Sequence, residues 1–510
     1  MTTFVILAAG RGSRLGRLGD ELPKCLLPLD GRAVISHQFA LAPAGARLVV
    51  VTGYRAEQVE EYVRLAHPDL DVTFVVDERW GSGPGASLLA ARAVVGDDDL
   101  VFAACDTLWE RNDALWTTDS ESWVGVAPIP AGTPAARWCR IVPGSGNEVS
   151  KISTAEIHDK TPDVAPGSLC WTALARVSAE DLNVFWQALV DADTIAGEVQ
   201  LSSGLQAILD RGEPLWIMHV DWLDVGDEQA YRAALATTTG YDPLKPDQVT
   251  YVLPETSRVV KWHVNPDKVA WRAERAKLLG DTVPTPMDRV GQSMFAYEYV
   301  LGPTVYQCDT NTLVTPLLEW WDDNFWSTRS AWRERPPNWR DLTMKFYRDK
   351  TFARVMALDT TLRSIALDAI TRVDWEKLIE NCVPGTFHGD LTYANVITWD
   401  DDWNTKFIGI DWREDFAGET TWGDLRYDLG KLLSGTVFHW ENAAHGDFRR
   451  WPSGPTHRAT IQLYAAHLGI DVVDVERIAA LCLIGSAALH AAPMDEILVT
   501  RGARWLGEVT

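Results

Sequence analysis

The sequence predicts an α/β protein built of two unlike halves, and three observations carry that reading. From Thr3 to about Ala236, short β-rich runs alternate with amphipathic or Ala-rich stretches, the pattern of a largely parallel sheet covered by helices on both faces. The segment "TTTGYDPLKPDQ", Thr237 to Gln248, then gathers Gly, two Pro and polar residues, as a linker does. Beyond it the texture becomes mainly helical and Trp-rich, with two compact β-rich pieces, so the second half reads as α+β. Domains are therefore expected at residues 1–240 and 248–510.

In the first half, the expected strands are Phe4 to Ala8, Arg47 to Thr52, Val72 to Val76 and Asp99 to Ala104. Helices are expected between them, at Ala56 to Leu65 and Ser87 to Val95. In the second half, a β-rich piece at Tyr251 to His263 leads to a helix at Asp267 to Leu279, and a hairpin is expected at Asn395 to Asp411.

Composition narrows the function classes. The 510 residues are 46% hydrophobic and 23% charged, the profile of a globular chain. The formal charge of -24 argues against nucleic acid as a partner, because a polyphosphate backbone is gripped by clustered Lys and Arg. The partner expected is a small molecule. No apolar run approaches the roughly 20 residues of a membrane span, so membrane insertion is not expected. Seven scattered Cys, without a CxxC pair, read as reduced thiols, and a cytoplasmic location is expected. Oligomeric state leaves no trace in the sequence.

The N-terminal stretch "LAAGRGSRLG" tests a dinucleotide-binding reading and fails it. Gly10 and Gly12 fit the G-x-G-x-x-G spacing, but Leu15 stands at the third position, and the next strand ends Val51-Thr52-Gly53 without a ribose-binding acid. The loop is instead cationic, with Arg11 and Arg14 inside it and Lys24 close behind in "LPKCLLPL". A glycine loop with exposed N–H groups, backed by Arg and Lys, suits a triphosphate.

The loop, together with "PKCLLPLDG", "VVVTGY", "GSGPGASLLAA" and "FAACDTLW", resembles the sugar-phosphate and phosphocholine nucleotidyltransferases, which have a Rossmann-like GT-A sheet with flanking helices. The resemblance implies that Lys24 and Arg14 are catalytic and steady the triphosphate and departing pyrophosphate. It implies that Asp106, in "VFAACDTLW", and Asp224, in "VDWLDVGDEQAY", hold Mg²⁺. Nucleotide contacts are expected from Leu7, Ala8, Ala9, Gly10, Gly12, Ser13, Gly85 and Ser87, with backbone groups at Ala8, Ala9 and Gly10 and the "GPGAS" turn at Gly83 to Ser87 reading the base. The motifs are closest to the phosphocholine cytidylyltransferase branch, which favours CTP, with UTP or dTTP left open. Lys151 and Lys160 are further candidates for a substrate phosphate, or plain surface lysines.

The second half holds "FHGDLTYANVITWDDDWNTKFIGIDWRED". Asp390 is placed to orient and deprotonate a substrate hydroxyl, while Asn395 and Asp411 are placed to hold Mg²⁺ on ATP phosphates. The stretch resembles the choline kinase and aminoglycoside phosphotransferase family, a bilobal protein-kinase-like fold acting on small molecules. "WGDLRYDLGKLL" fits the same family, with Asp424 and Asp428 expected to brace the catalytic loop. Upstream, Lys261 and Glu274 are the candidate phosphate-binding Lys and its helix partner, and "MFAYEYVLG" resembles the hinge that holds adenine. Where such kinases carry a glycine-rich loop, this chain has "VLPETSR". Five of its 24 Trp, at 320, 321, 326, 332 and 339, read either as helix packing or as a cage for a quaternary ammonium.

Joined, the halves predict a bifunctional enzyme: a kinase that phosphorylates a small hydroxylated metabolite, with a choline-like head group favoured, and a transferase that couples the phosphate to a nucleotide. A sugar kinase with a sugar-1-phosphate nucleotidyltransferase, and a transferase regulated by a metabolite-binding pseudokinase, are the alternatives.

Overall fold

The computed structural model describes the chain except residues 17, 117–120, 130–137, 145–147, 154–167, 196, 239–246, 288–290, 309–311, 333, 402–403 and 510. Two compact units result, Met1–Leu253 and Pro254–Thr510. Strand Gln248–Leu253 closes the first unit, and its buried Tyr251 donates its hydroxyl proton to the Leu26 carbonyl.

In the first unit, strands Thr2–Ala8, Arg47–Thr52, Val72–Val76 and Asp99–Ala104 run parallel. Their Val, Ile and Leu runs are apolar on both faces because helices cover both. Val5, Leu7, Val49, Val51 and Phe102 are buried with Leu88 of helix Pro84–Ala90 and Phe185 of helix Leu182–Asp191, each contributing roughly 1.5–3 kcal/mol. The sheet is mixed rather than largely parallel: Leu169–Val177 lies antiparallel to Asp99–Ala104, and Arg140–Pro143 and Val149–Ser153 extend that edge.

Strand Thr2–Ala8 has Arg47–Thr52 on one side and Asp99–Ala104 on the other, so the strand order reverses at it. A crevice opens beyond the carboxyl ends of strands at such a switch point. The glycine loop leaves from Ala8, and Asp106 follows Ala104, so both predicted features belong to that end of the sheet.

In the second unit, Arg258–His263 and Met294–Glu298 pair antiparallel, flanking helix Pro266–Leu279 in sequence. That helix starts where Asn265 accepts a hydrogen bond from the Asp267 N–H and Pro266 takes the first turn, and it stops at Gly280, whose φ of +53° is left-handed. The hairpin of Val396–Asp401 and Asn404–Gly409 comes next. Helix Leu425–Val437 packs on Val472–Ala487 through Gly430, where an added methyl would collide with Ile478 Cγ2. No helix among the described residues is long and apolar enough to cross a membrane.

Candidate active sites

The glycine loop is shaped around a lysine. Gly12 has a φ of +71°, and a methyl on it would press on the Lys24 side chain at 3.2 Å, so a bare Cα lets the lysine stem lie against the loop. Lys24 is buried and its ammonium pairs with the Asp106 carboxylate. Antiparallel pairing of Trp222–Asp224 with Thr107–Trp109 sets Asp224 opposite Thr107, next to Asp106. Gly226 completes the cluster: a methyl there would lie 2.7 Å from Asp224 Oδ1, 2.8 Å from Asp106 Oδ2 and 3.5 Å from Lys24 Nζ. Two carboxylates and an ammonium thus crowd one bare glycine. Burial opposes the charge of Asp106, but Lys24, with Arg14 adding to it, holds the carboxyl below its ordinary range.

The remaining predicted residues are placed less uniformly. Arg14 is exposed, in the short helical turn Ser13–Leu15. The carbonyls of Leu7 and Ala9 are engaged by Cys105 N–H at 3.2 Å and Tyr54 N–H at 2.9 Å, Ala8 pairs in the sheet, and Gly10 is exposed. Gly85 N–H donates to the Val199 carbonyl and Ser87 Oγ donates to Asp77, so these two groups of the turn are engaged within the protein. The Lys151 side chain and all of Lys160 lie outside the described residues. The seven cysteines are free thiols, and burial pushes Cys105 up to about 12, which keeps it protonated beside the site.

In the second unit, the backbone of the HGD loop is held by a buried carboxyl. Asp428 accepts from the N–H groups of His388 at 2.8 Å and Gly389 at 2.7 Å, and from Trp321 Nε1 at 3.4 Å. Asp424 acts differently, joining Arg426, Tyr347 and the Val383 N–H. Asp390, half-exposed, pairs with Lys431 at 2.6 Å, and Asn395 Nδ2 donates to its carbonyl at 2.9 Å and its carboxylate at 3.3 Å. Burial opposes the Asp390 charge, yet Lys431 brings its pKa below the ordinary value. Asp411 sits in the left-handed region at φ +61°, a conformation that costs a residue with a Cβ and recurs at functional sites. Its carboxylate pairs with Lys261, with Arg272 at 3.8 Å.

Lys261 and Glu274 are not brought together. Glu274 is exposed and pairs with Lys277 at 3.2 Å on the outer face of its helix, while Lys261 faces Asp411. A helix turns 100° per residue, and Arg275 is the residue whose side chain is directed inward, onto the carbonyls of Arg413, Thr420 and Phe387. The five Trp split between core and cation stacking: Trp321 and Trp326 are buried, Trp332 lies near Trp422, Trp320 near Phe407, and Trp339 carries Arg335 at 4.1 Å. None of these contacts builds a cage at Asp390.

Sequence reasoning missed Gly226, Tyr231 and Tyr251 in the first unit and Arg413, Lys350 and Lys431 in the second. Lys431 and Arg413 stand inside the motifs "WGDLRYDLGKLL" and "IDWR", where they could have been found. The tyrosines carry no local signal, because their partners are distant in sequence.

Both sites fit Mg²⁺ by donor chemistry. Asp106 with Asp224, and Asp411 with Asn395, offer hard oxygen donors, and Mg²⁺ is commonly held by one or two carboxylates together with substrate phosphates. Among the described residues no group of three or more His, Cys, Asp or Glu forms a closed metal cage.

Residues 4–118 match the family described as the MobA-like NTP transferase domain. The bifunctional protein GlmU of Nitrobacter hamburgensis is 35% identical over 136 residues, covering 26% of this chain and 29% of that protein. The UTP–glucose-1-phosphate uridylyltransferase AglF of Haloferax volcanii is 23% identical over 256 residues, covering 46% of this chain and 97% of its own length. A crystal structure of UDP-glucose pyrophosphorylase complexed with UDP-glucose aligns at a TM-score of 0.40 and 16% identity, over 46% of this chain and 98% of that one. The chain thus spans less than a third of the GlmU relative and nearly all of the uridylyltransferase. Over residues 4–118, the first unit is thus similar to MobA-like NTP transferase domains.

Proposed function

We propose that the chain catalyses two consecutive transfers: ATP-dependent phosphorylation of a small hydroxylated metabolite in the second unit, and nucleotidyl transfer onto that phosphate in the first. The observation that carries the reading is the meeting of Lys24, Asp106 and Asp224 around Gly226, beside a glycine loop at the switch point of the sheet. A second constellation, Asp390 with Asn395 and Lys431 and Asp411 with Lys261, supports the first step.

In the first unit, an oxygen of the acceptor phosphate attacks the α-phosphorus of the nucleoside triphosphate. The bond to the β-phosphate breaks and pyrophosphate leaves. No general base is needed, because the attacking oxygen is already anionic. Lys24, buried and rigidly held, and Arg14 at the loop neutralise charge on the triphosphate as it moves to the leaving group. Asp106 and Asp224 would hold Mg²⁺, which when bound supplies charge neutralisation at the phosphates.

In the second unit, Asp390 accepts the hydrogen bond and then the proton of the acceptor hydroxyl, whose oxygen attacks the γ-phosphorus while ADP leaves. Its low pKa makes it chiefly an orienting group. The amide of Asn395 fixes the Asp390 carboxylate, Asp411 would hold Mg²⁺, and its partner Lys261 would bind a phosphate.

The acceptor and base are finer questions. Motif shape favours CTP, whereas the uridylyltransferase relative, named for UTP and glucose-1-phosphate, supports a sugar phosphate with UTP. Purified protein with Mg²⁺, ATP and each of CTP, UTP and dTTP should release ADP in the presence of acceptor alcohol, and pyrophosphate thereafter with one base preferred. Release of pyrophosphate without any ADP would select the regulated-transferase reading instead.

A further inference from the structure

Three cations gather at the HGD loop: Lys431, Lys350 and Arg413. Lys431 is matched by Asp390 at 2.6 Å. Lys350 and Arg413 enter no ion pair among the described residues, while Arg354, one turn beyond Lys350 on helix Lys350–Met356, donates to the Gly485 carbonyl at 3.1 Å. Lys350 Nζ lies 3.5 Å from the Phe346 ring centroid and 5.6 Å from that of Tyr427, and Arg413 lies 5.0 Å from the same Phe346 ring. Tyr427 and Lys431 are four apart on helix Leu425–Val437, hence on one face. Arg413 is locked against the loop: its N–H donates to the His388 carbonyl at 3.0 Å, and a methyl on Gly389 would meet Arg413 Cβ at 2.6 Å.

Against its burial, Tyr427, Glu414, Asp415 and Asp390 raise the Arg413 pKa, but each of the three acids is engaged with another group. Asp390 is taken by Lys431, and Asp415 Oδ2 accepts from the Gly418 N–H at 2.6 Å while its carbonyl accepts from Arg413 Nε. Glu414 is taken by Arg272 and Lys268. Burial, with Arg413 and Arg354 beside it, brings Lys350 well below its ordinary pKa, and burial lowers Arg354 as well. Partly buried cations left without a counterion are costly, and an incoming anion relieves them.

We infer that Lys350 and Arg413 seat an anionic group, carboxylate or phosphate, carried by the alcohol that Asp390 deprotonates. This rests on the phosphotransferase reading and replaces the choline-like acceptor with an acidic one. A quaternary ammonium would meet like charge here, whereas guanidinium and ammonium groups form charge-assisted bonds with carboxylate or phosphate.

The test uses the full chain with Mg²⁺ and ATP, measuring ADP release with choline, glycerol, glycerate and glycerol 3-phosphate. The expected result is a kcat/KM for an anionic alcohol well above those for choline and glycerol. Lys350→Met should raise the KM for that alcohol about tenfold to a hundredfold, with the KM for ATP unchanged and Lys350→Arg restoring most of the loss. Preference for choline, or a Lys350→Met effect confined to ATP, overturns the inference. If no acceptor releases ADP, the phosphotransferase reading fails by itself, and calorimetric titration with glycerol 3-phosphate then reads the anion seat. Binding by the wild type that Lys350→Met and Arg413→Gln both lose supports the seat, and equal or absent binding overturns it.

Discussion

Tyr251 reaches back to Leu26, and its buried hydroxyl donates to the carbonyl two residues beyond Lys24. Tyr231 does the same for Pro28 at 2.5 Å. Two tyrosines from the end of the first unit therefore fix the backbone that presents Lys24 to Asp106. Tyr251→Phe leaves the Leu26 carbonyl without that donor, an expected cost of about 1–3 kcal/mol in the stability of the first unit. Pyrophosphate release should fall in kcat more than it rises in KM, and a variant with unaltered stability and kcat would remove the clamp from the account.

Lys24→Met keeps the stem that packs on Gly12 and removes the charge. Nucleotidyl transfer should fall by about a hundredfold to a thousandfold, the scale of losing one preorganised donor at a developing charge. ADP release should stay at the wild-type rate, because the second unit holds its own groups. Assaying the two products separately checks both halves of the statement.

Burial pushes Asp428 up to about 6, with the N–H groups of Gly389 and His388 acting in the opposite sense. A carboxyl whose folded pKa exceeds its ordinary 3.8 lends stability below that value and loses it as pH rises through about 6. Asp428→Asn is neutral throughout. Relative to this variant, the wild type should lose about 3 kcal/mol between pH 3 and pH 8. Denaturant titrations across that range decide it, and a difference that does not vary with pH contradicts the assignment.

Arg426 is enclosed by Asp424 at 2.7 Å, Asp474 at 2.9 Å and the Leu378 carbonyl at 2.7 Å, with both carboxylates fully buried. Arg426→Met strands two carboxylates in the interior. Unfolding of the second unit should become easier by about 3–5 kcal/mol, while the first unit, followed by its own pyrophosphate assay, should be unaffected.

The sequence was most legible where the chemistry is local. The strands of the first sheet and the helix after His263 were readable because period, caps and glycines are encoded within a few residues. Lys24 with Asp106, and Asp390 with Asn395, were nameable because motif spacing carries them. The antiparallel edge at Leu169–Val177 was not, since apolar runs do not encode strand direction. Glu274 was misassigned because helical phase places Arg275, one residue on, toward the core. The hydrogen bond from Tyr251 to the Leu26 carbonyl ties residues far apart in sequence, a contact no local pattern announces. Lys350 and Arg413 at the Phe346 ring come from separate segments of the chain, so only the fold reveals them.

The central claim is that one chain passes a phosphate from ATP into a nucleotide-coupled product, and an isotope carries that claim directly. With ATP labelled in its γ-phosphate, Mg²⁺, an unlabelled second nucleoside triphosphate and a metabolite pool, the wild type should yield a nucleotide-coupled product bearing the label, read by mass spectrometry. Asp390→Asn should yield no coupled product until phosphorylated acceptor is supplied, and then only product without the label, while Asp106→Asn should accumulate labelled phosphorylated acceptor without coupling it. A coupled product from wild-type protein that lacks the label, or one that Asp390→Asn forms equally well from unphosphorylated acceptor, would contradict the account.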